Sequence, residues 1–406
     1  MNHRKYSFVL KDFSLNFIAS FMHTGTIQLI VYPKLSQILD ADANGKMLTL
    51  MAIVNVVTSS FGGNLFYARL IQNEDYKKRK LIGDYQILLS LFICVSVIVI
   101  VIATMVMKCP LKISIGVIIA TILLVMHSYY LVTYRIIIDY KSNFYAHIAL
   151  CFGYISGAFL FKGSDLWPVI FCEAGLLGLM YIWFHGAIIQ EPFVKTELFT
   201  QTLMKTIVFI TGGFIGNIYT YLDRFIIYPL LGGENVSYYT VASFFAKTMG
   251  LLMGPLISVL LSYFTSRKIV LNSKRYLILY GGAVLSGCMY LMMSNSIGHM
   301  ITSYIYPTLY DNAKPYIFLA SVGTILGCVY GFSNVVVMAL GKTYWQTVIP
   351  VARTILYLAL GLTLSQKYGL TGLCIALIAV NFITDLISFV LGGYYVVHQK
   401  TVESEV

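Results

Sequence analysis

An all-α polytopic membrane protein, with twelve transmembrane helices in two six-helix lobes around a central cleft, is the architecture this chain predicts. Three observations carry that reading. The composition is too apolar for a water-soluble domain, apolar runs near the length of a bilayer crossing recur from end to end, and one short phrase is written twice, half a chain apart.

Of 406 residues, 58% are hydrophobic and 11% charged, with a mean hydropathy of +0.78. An ordinary soluble domain carries roughly 25% charged residues. About 20 consecutive apolar residues cross a hydrocarbon core as a helix. Twelve such segments centre on residues 15–31, 47–66, 87–107, 113–132, 147–161, 167–187, 206–226, 236–264, 277–297, 316–340, 348–364 and 370–395. The connections are short, so neither side of the membrane is expected to carry a soluble domain. The first apolar segment contains Asn16, His23 and Gln28 and lacks a small-residue cleavage site, so it is read as a retained span.

Lysine and arginine set the orientation, because loops near spans retain them on the cytoplasmic side. With the N-terminus inside, eighteen of the 28 fall on one side, including the KKRK run at 77–80 and the pairs Arg267/Lys268 and Lys274/Arg275. Eight fall on the other side, and Lys247 and Arg353 lie within spans. Both termini are therefore placed in the cytoplasm. The net charge of +11 is spread over loops with no folded module to organise it, so nucleic acid is excluded and anionic membrane lipids are the expected partner. The seven cysteines show no CxxC or Cys/His spacing and read as small apolar residues, with no metal and no cofactor.

LIVYP at 29–33 and FIIYP at 225–229 are the doubled phrase, offset by 196 residues. If each ends the first span of a lobe, the chain divides into an N-terminal lobe (1–190), a cytoplasmic linker (191–205) and a C-terminal lobe (206–406). An even number of spans per lobe makes them parallel repeats, a plan that recurs in transporters with the substrate between the repeats. Glycines four apart, at Gly323/Gly327/Gly331, Gly153/Gly157, Gly212/Gly216 and Gly250/Gly254, would let helices approach closely.

An ionisable residue in hydrocarbon costs about 2.5–3.5 kcal/mol at a helix centre, so each needs a reason. Lys247 lies some eleven residues into the eighth span. It either pairs with an acid, Glu173, Asp223 or Asp385, or faces a wet cavity. Asn217, Thr220, Tyr221 and Arg224 fall at i, i+3, i+4 and i+7, one face of the seventh span. Under the 196-residue offset Thr24 and Gln28 stand where Thr220 and Arg224 stand, and the first span has its own stripe of Asn16, Ser20, His23 and Thr24. A wet cleft and interhelical hydrogen bonding both account for these polar faces. Arg353 and Asp385, at similar depth in the last two spans, are either a structural ion pair or a substrate and coupling pair. Glu173 and His127 are isolated in their spans, and either could carry a proton. No nucleophile elbow, metal-ligand spacing or phosphate-binding glycine loop is present, so the chain is not read as an enzyme.

The runs YPKLSQILDADANGKMLTLMAIVN (32–55), YARLI (67–71), YLDRFIIYPLLGGENVSYYTVASFFAK (221–247) and PTLYDNAKPYIFLA (307–320), with the glycine-rich tenth span, resemble bacterial polysaccharide-unit flippases. Those belong to the multidrug/oligosaccharidyl-lipid/polysaccharide exporter superfamily. The resemblance implies a multi-pass protein of the bacterial cytoplasmic membrane that moves a polyprenyl-pyrophosphate-linked oligosaccharide, an O-antigen or capsule repeat unit, to the outer leaflet by alternating access. It also implies a polysaccharide polymerase and assembly proteins as further partners. Lys247, Arg224 and Arg353 would then hold the pyrophosphate, while His23, Thr24, Gln28, Asn217, Thr220 and Tyr221 meet sugar hydroxyls. Asp223, Asp385 and Glu173 would supply counter-charge or ion coupling. A multidrug extruder of the same fold is the alternative, ahead of a peptidoglycan-precursor flippase or a membrane-embedded polymerase. For the orientation, a cysteine introduced at 77–80 is expected to escape a membrane-impermeant thiol reagent applied to intact cells; labelling there above the unsubstituted background would reverse the topology.

Overall fold

The computed structural model describes residues 3–265, 271–342 and 344–403. Side chains are described from 14 to 398, except 187, 251–252, 254–255, 258, 262, 265–270 and 343. The side chains of Arg4, Lys5, Lys11, Arg267, Lys268, Gly254 and Lys400 are thus outside the described residues. Every regular element among those described is helical: α1 (His3–Thr26), α2 (Tyr32–Ser36), α3 (Ala41–Val57), α4 (Asn64–Arg79), α5 (Tyr85–Val106), α6 (Leu111–Tyr130), α7 (Val132–Ile136), α8 (Tyr140–Leu160), α9 (Trp167–His185), α10 (Phe199–Leu231), α11 (Gly233–Thr265), α12 (Ser273–Asn295), α13 (Ile297–Ile305), α14 (Tyr310–Ala313), α15 (Ile317–Leu340) and α16 (Trp345–Glu403). Water cannot satisfy backbone groups in hydrocarbon, so a lone segment crosses only as a helix.

Eight helical stretches among the described residues are long and apolar enough to cross a membrane. The last of these covers α16, which holds two spans divided at Gly369, where φ is +59°. With that division the long helices follow the twelve segments read from the sequence. The 33-residue α10 is not among the eight; its polar residues dilute the hydropathy of a helix otherwise long enough to span.

The doubled phrase sits just short of two helix ends rather than at them. After α1 the chain widens into a π-helical turn, Ile27–Val31, and continues as α2 with Pro33 in its first turn, ending only at Ser36. Pro229 likewise lies inside α10, which runs on to Leu231 before Gly232 turns at φ +85°. A second π-helical turn, Thr58–Gly63, joins α3 to α4. The wider turn loosens the carbonyl ladder, and Asn64 repairs it by donating Nδ2 to the Ser60 carbonyl at 2.9 Å.

The chain forms two compact units, residues 1–40 with 46–221, and residues 41–45 with 222–406. In the first, Leu65, Leu88, Phe92, Val125 and Tyr129 build a buried core. Gly153 and Gly157 bring α8 against α9: a methyl on Gly153 would stand 2.5 Å from the Ala174 Cα, and one on Gly157 2.9 Å from the Ile170 Cα. The chain between α9 and α10 is clamped to this unit. Asp84, fully buried at φ +66°, accepts from Tyr76 Oη at 2.6 Å, from Thr196 N at 2.6 Å and from the Thr196 hydroxyl. Such a backbone conformation costs a non-glycine residue about 1–3 kcal/mol, and the three bonds to its carboxylate hold it there. Arg69 and Glu191 close the same clamp with a two-pronged ion pair.

In the second unit, Phe264, Tyr276, Val335, Val336 and Val396 form one core cluster. Gly323 packs on Leu377, Gly327 on Asn381 and Gly331 on Ile257, so the glycine ridge of α15 meets both α16 and α11. The stretch 41–45 belongs here because of the start of α11. Ser237 Oγ donates to the Ala41 carbonyl at 2.6 Å, Asn44 Nδ2 to Ser237 Oγ at 2.9 Å, and Gly233 N to Asp42 Oδ1 at 3.1 Å.

Gly212, Gly216 and Gly250 have nothing within 4 Å of an added methyl, so glycines of similar spacing separate into packed and open ones. Gly153→Ala should lower the thermal midpoint of detergent-solubilised protein by the equivalent of about 1–3 kcal/mol, the cost of overpacking. Gly212→Ala should leave it unchanged or raise it by up to about 1 kcal/mol through helix propensity. Equal midpoints for the two variants would remove the packing role from Gly153.

Candidate functional site

Asp223, Arg224 and Lys247 form the charged centre of the second unit. α10 places the first two side by side and α11 supplies the third. Lys247 Nζ donates to Asp223 Oδ2 at 2.7 Å; the lysine side chain is 33% exposed and the aspartate side chain 9%. The other carboxylate oxygen, Oδ1, accepts from the Arg224 backbone N–H at 2.8 Å. Lys247 Nζ also stands 5.2 Å from the centroid of the Tyr239 ring, within cation–π range. Arg224 is itself buried.

Of the two readings open for Lys247, pairing with an acid is the one found, and the acid is Asp223. Glu173 and Asp385 are engaged elsewhere. The centre thus brings two basic side chains and one acidic one together, with the aspartate and the arginine buried.

Arg353 and Asp385 are not an ion pair. Arg353 donates Nη2 and Nε to Asn381 Oδ1 at 2.6 and 3.2 Å and lies 4.0 Å above the Tyr330 ring; Asn381 passes the connection on to the Gly323 carbonyl at 2.7 Å. Asp385 is buried and accepts from Ser333 Oγ at 2.6 Å and Tyr280 Oη at 2.8 Å. A carboxylate in hydrocarbon without a cation needs such donors. The two side chains are satisfied separately, within the packing of α15 against α16 and of α12 beside them.

The remaining candidates lie in the first unit. Asn217 donates to Ser60 Oγ at 3.1 Å, tying α10 to the π-helical turn. Thr220 bonds back to the Gly216 carbonyl at 3.1 Å and is exposed on the face that also carries Gly212 and Gly216. Tyr221, half-buried, is the last residue of this unit, so the one-face stripe from Asn217 to Arg224 passes from one unit into the other along a single helix. Thr24 bonds the Ser20 carbonyl at 3.1 Å, and Gln28 is half-buried in the π-helical turn. Glu173 is held by Ser156 Oγ at 2.6 Å, between α8 and α9.

His23 stacks on Tyr154 with ring centroids 5.9 Å apart. His147 lies edge-on to it at 6.1 Å, and His127 edge-on to His147 at 6.1 Å. Three imidazoles from α1, α6 and α8 therefore adjoin, where the sequence showed His127 standing alone. His147 Nδ1 is 2.8 Å from the Asn143 carbonyl, which assigns that nitrogen the proton. No group of His, Cys, Asp and Glu among the described residues is arranged to hold a metal ion.

No family model matches the chain, and no curated protein matches it. Solved structures do. An inward-facing multidrug resistance MATE family transporter of the MOP superfamily superposes with a TM-score of 0.68 at 12% identity, over 94% of this chain and 95% of that one. The lipid II flippase MurJ in an inward closed conformation gives 0.70 at 16% identity, over 96% and 87%. A MATE transporter in complex with MaD3S gives 0.63 at 12%, over 96% of this chain and 97% of that one. At such identities the likeness establishes the fold, which this chain shares with those MATE and MurJ structures.

Lys247→Met takes from the buried Asp223 carboxylate its lysine partner and should cost about 3 kcal/mol of stability. Adding Asp223→Asn to it should restore at least half of that in a thermal unfolding series. Equal losses in the single and double variants would show that the pair is not coupled.

Proposed function

We propose that this chain is a flippase that carries a polyprenyl-pyrophosphate-linked oligosaccharide from the inner to the outer leaflet of the bacterial cytoplasmic membrane by alternating access, for surface polysaccharide assembly. The observation that supports the proposal is the meeting of two basic side chains, Arg224 and Lys247, beside the buried Asp223. A pyrophosphate headgroup is anionic and strongly hydrated, so it needs a buried cation to replace its water. Two bases around one acid meet that requirement with Lys247 and Arg224, and Asp223 keeps the lysine positioned between transport events. Arg353, already pointed by Asn381 and Tyr330, is the third phosphate contact in this reading.

Sugar hydroxyls exchange hydrogen bonds with neutral polar groups, the chemistry of His23, Thr24, Gln28, Asn217, Thr220 and Tyr221. Asp385 and Glu173 are the coupling or counter-charge groups. The six-plus-six lobes, the 191–205 linker and both termini are placed as the positive charges direct, with linker and termini in the cytoplasm. The MurJ likeness supports a lipid-linked substrate, because MurJ is itself a flippase of one. The MATE likeness supports the multidrug alternative through the fold, but a cationic drug would meet like charge at Arg224 and Lys247.

In a host lacking its own repeat-unit flippase, the wild-type chain should restore surface polysaccharide. Arg224→Gln should reduce it at least tenfold at equal protein level, the loss expected of one charge-assisted contact. Undiminished polysaccharide from both Arg224→Gln and Arg353→Gln would sink the cationic-site reading. Restored drug resistance without polysaccharide would favour the extruder.

A further inference from the structure

Away from the charged centre, the first unit contains a cavity of about 300 Å³ where α4 turns into α5. Arg69, Lys77, Lys80, Tyr76, Tyr85 and Glu191 line it, three cations against one carboxylate. Arg69 is fixed in the wall: it is ion-paired to Glu191, donates to Tyr129 Oη at 2.9 Å and lies 4.5 Å above the Tyr85 ring. The two lysines stand at the mouth. Lys77 keeps only a loose 3.6 Å pairing with exposed Glu74. Lys80 has no ion pair among the described residues and sits at φ +55°, where the chain leaves α4.

Basic residues in a last helical turn commonly offset the helix dipole, and that accounts for Lys77, Lys78 and Arg79. It does not account for Tyr85. This side chain is 2% exposed, lines the cavity, and its hydroxyl has no hydrogen-bond partner among the described residues. A buried hydroxyl is seldom left so, and a ligand oxygen in the cavity would complete it.

A second cavity, about 400 Å³, begins one residue further along α5 and two residues back along the linker, at Gln86 and Ile189. Its wall is apolar, with Leu89 and Ile93 of α5, Met126 of α6, and Leu176 and Trp183 of α9. Phe193 of the linker completes it, and Trp183 and Phe193 are both well exposed, as suits side chains that meet lipid. A basic, hydroxyl-bearing cavity thus adjoins an apolar groove along the chain, at a membrane-surface end of the helices.

We propose that the two cavities bind one phosphate-bearing lipid: its phosphate held by Lys77, Lys80 and the Tyr85 hydroxyl, its acyl chain in the groove under Trp183 and Phe193. The charge excess selects an anionic lipid over a zwitterionic one, and the groove selects a lipid over a soluble phosphate. The occupant would join the α4–α5 turn to the clamped linker. The site is separate from the charged centre and does not depend on the substrate assigned there.

The full chain, reconstituted in nanodiscs of mixed phosphatidylglycerol and phosphatidylcholine, should release phosphatidylglycerol preferentially in native mass spectrometry as its most tightly retained lipid. Lys77→Gln/Lys80→Gln should weaken that retention about 25-fold, from roughly fivefold per lysine at a membrane surface. Tyr85→Phe removes only the hydroxyl, leaves the Arg69–Glu191 pair intact, and should weaken it several-fold without loss of folded protein; Lys108→Gln/Lys112→Gln should have no effect. Equal retention of the two lipids by the wild type, or wild-type retention by both the double-lysine and Tyr85→Phe variants, would overturn the proposal. So would stabilisation by inorganic phosphate in the absence of any retained phosphatidylglycerol, which would make the ligand a soluble anion.

Discussion

A polar group in hydrocarbon has no water to fall back on, and each one in this chain has to find its partner in the chain itself. That constraint makes the elements helical, and it also decides what happens where the helices are imperfect. The π-helical turn at 58–63 loosens the carbonyl ladder, and the Asn64 side chain answers it. Asp385, with no ion pair among the described residues, gathers a serine and a tyrosine hydroxyl. Asp223 takes a lysine and a backbone N–H. The same demand is met with neutral donors in one place and with charge in another, and only the second leaves an electrostatic field behind it.

That field gives the molecule its chemical character. A neutral hydrogen-bond network holds helices together and is indifferent to what passes by. At Asp223, Arg224 and Lys247 charged groups meet instead, and the low-dielectric surroundings strengthen the interactions between them. The MATE and MurJ likenesses describe the frame; in the proposed function, Arg224 and Lys247 would narrow which molecules it accepts.

Helix existence was legible in the sequence because hydropathy alone dictates it, and Lys247 could be singled out because its depth in an apolar run is a one-dimensional fact. Its partner was not legible: Asp223 is 24 residues away on another helix, and three acids were equally eligible from the sequence. The separation of Arg353 from Asp385 has the same origin, since similar depth in neighbouring spans does not specify the rotation of either helix. His127 looked isolated because its neighbours come from positions 23 and 147, and no periodicity connects them. Proline in LIVYP suggested a helix end, yet Pro33 sits in a first helical turn after a π-helical one, where its missing N–H is no loss. Glycine spacing was uniform along the chain, and only three-dimensional packing divides Gly153 from Gly212.

The clamp on the linker also orders the chain in time. The side chains that reach in to hold Glu191 and Thr196, Arg69 and Asp84, both precede them in the sequence, so on a ribosome the first unit can close its clamp before α11 has been made. Domains tend to complete in that N-to-C order during synthesis. One stretch is the exception. Residues 41–45 bond to Gly233 and Ser237, from 191 to 196 residues downstream, and for the whole of that interval an early part of the chain must wait, its final contacts not yet translated.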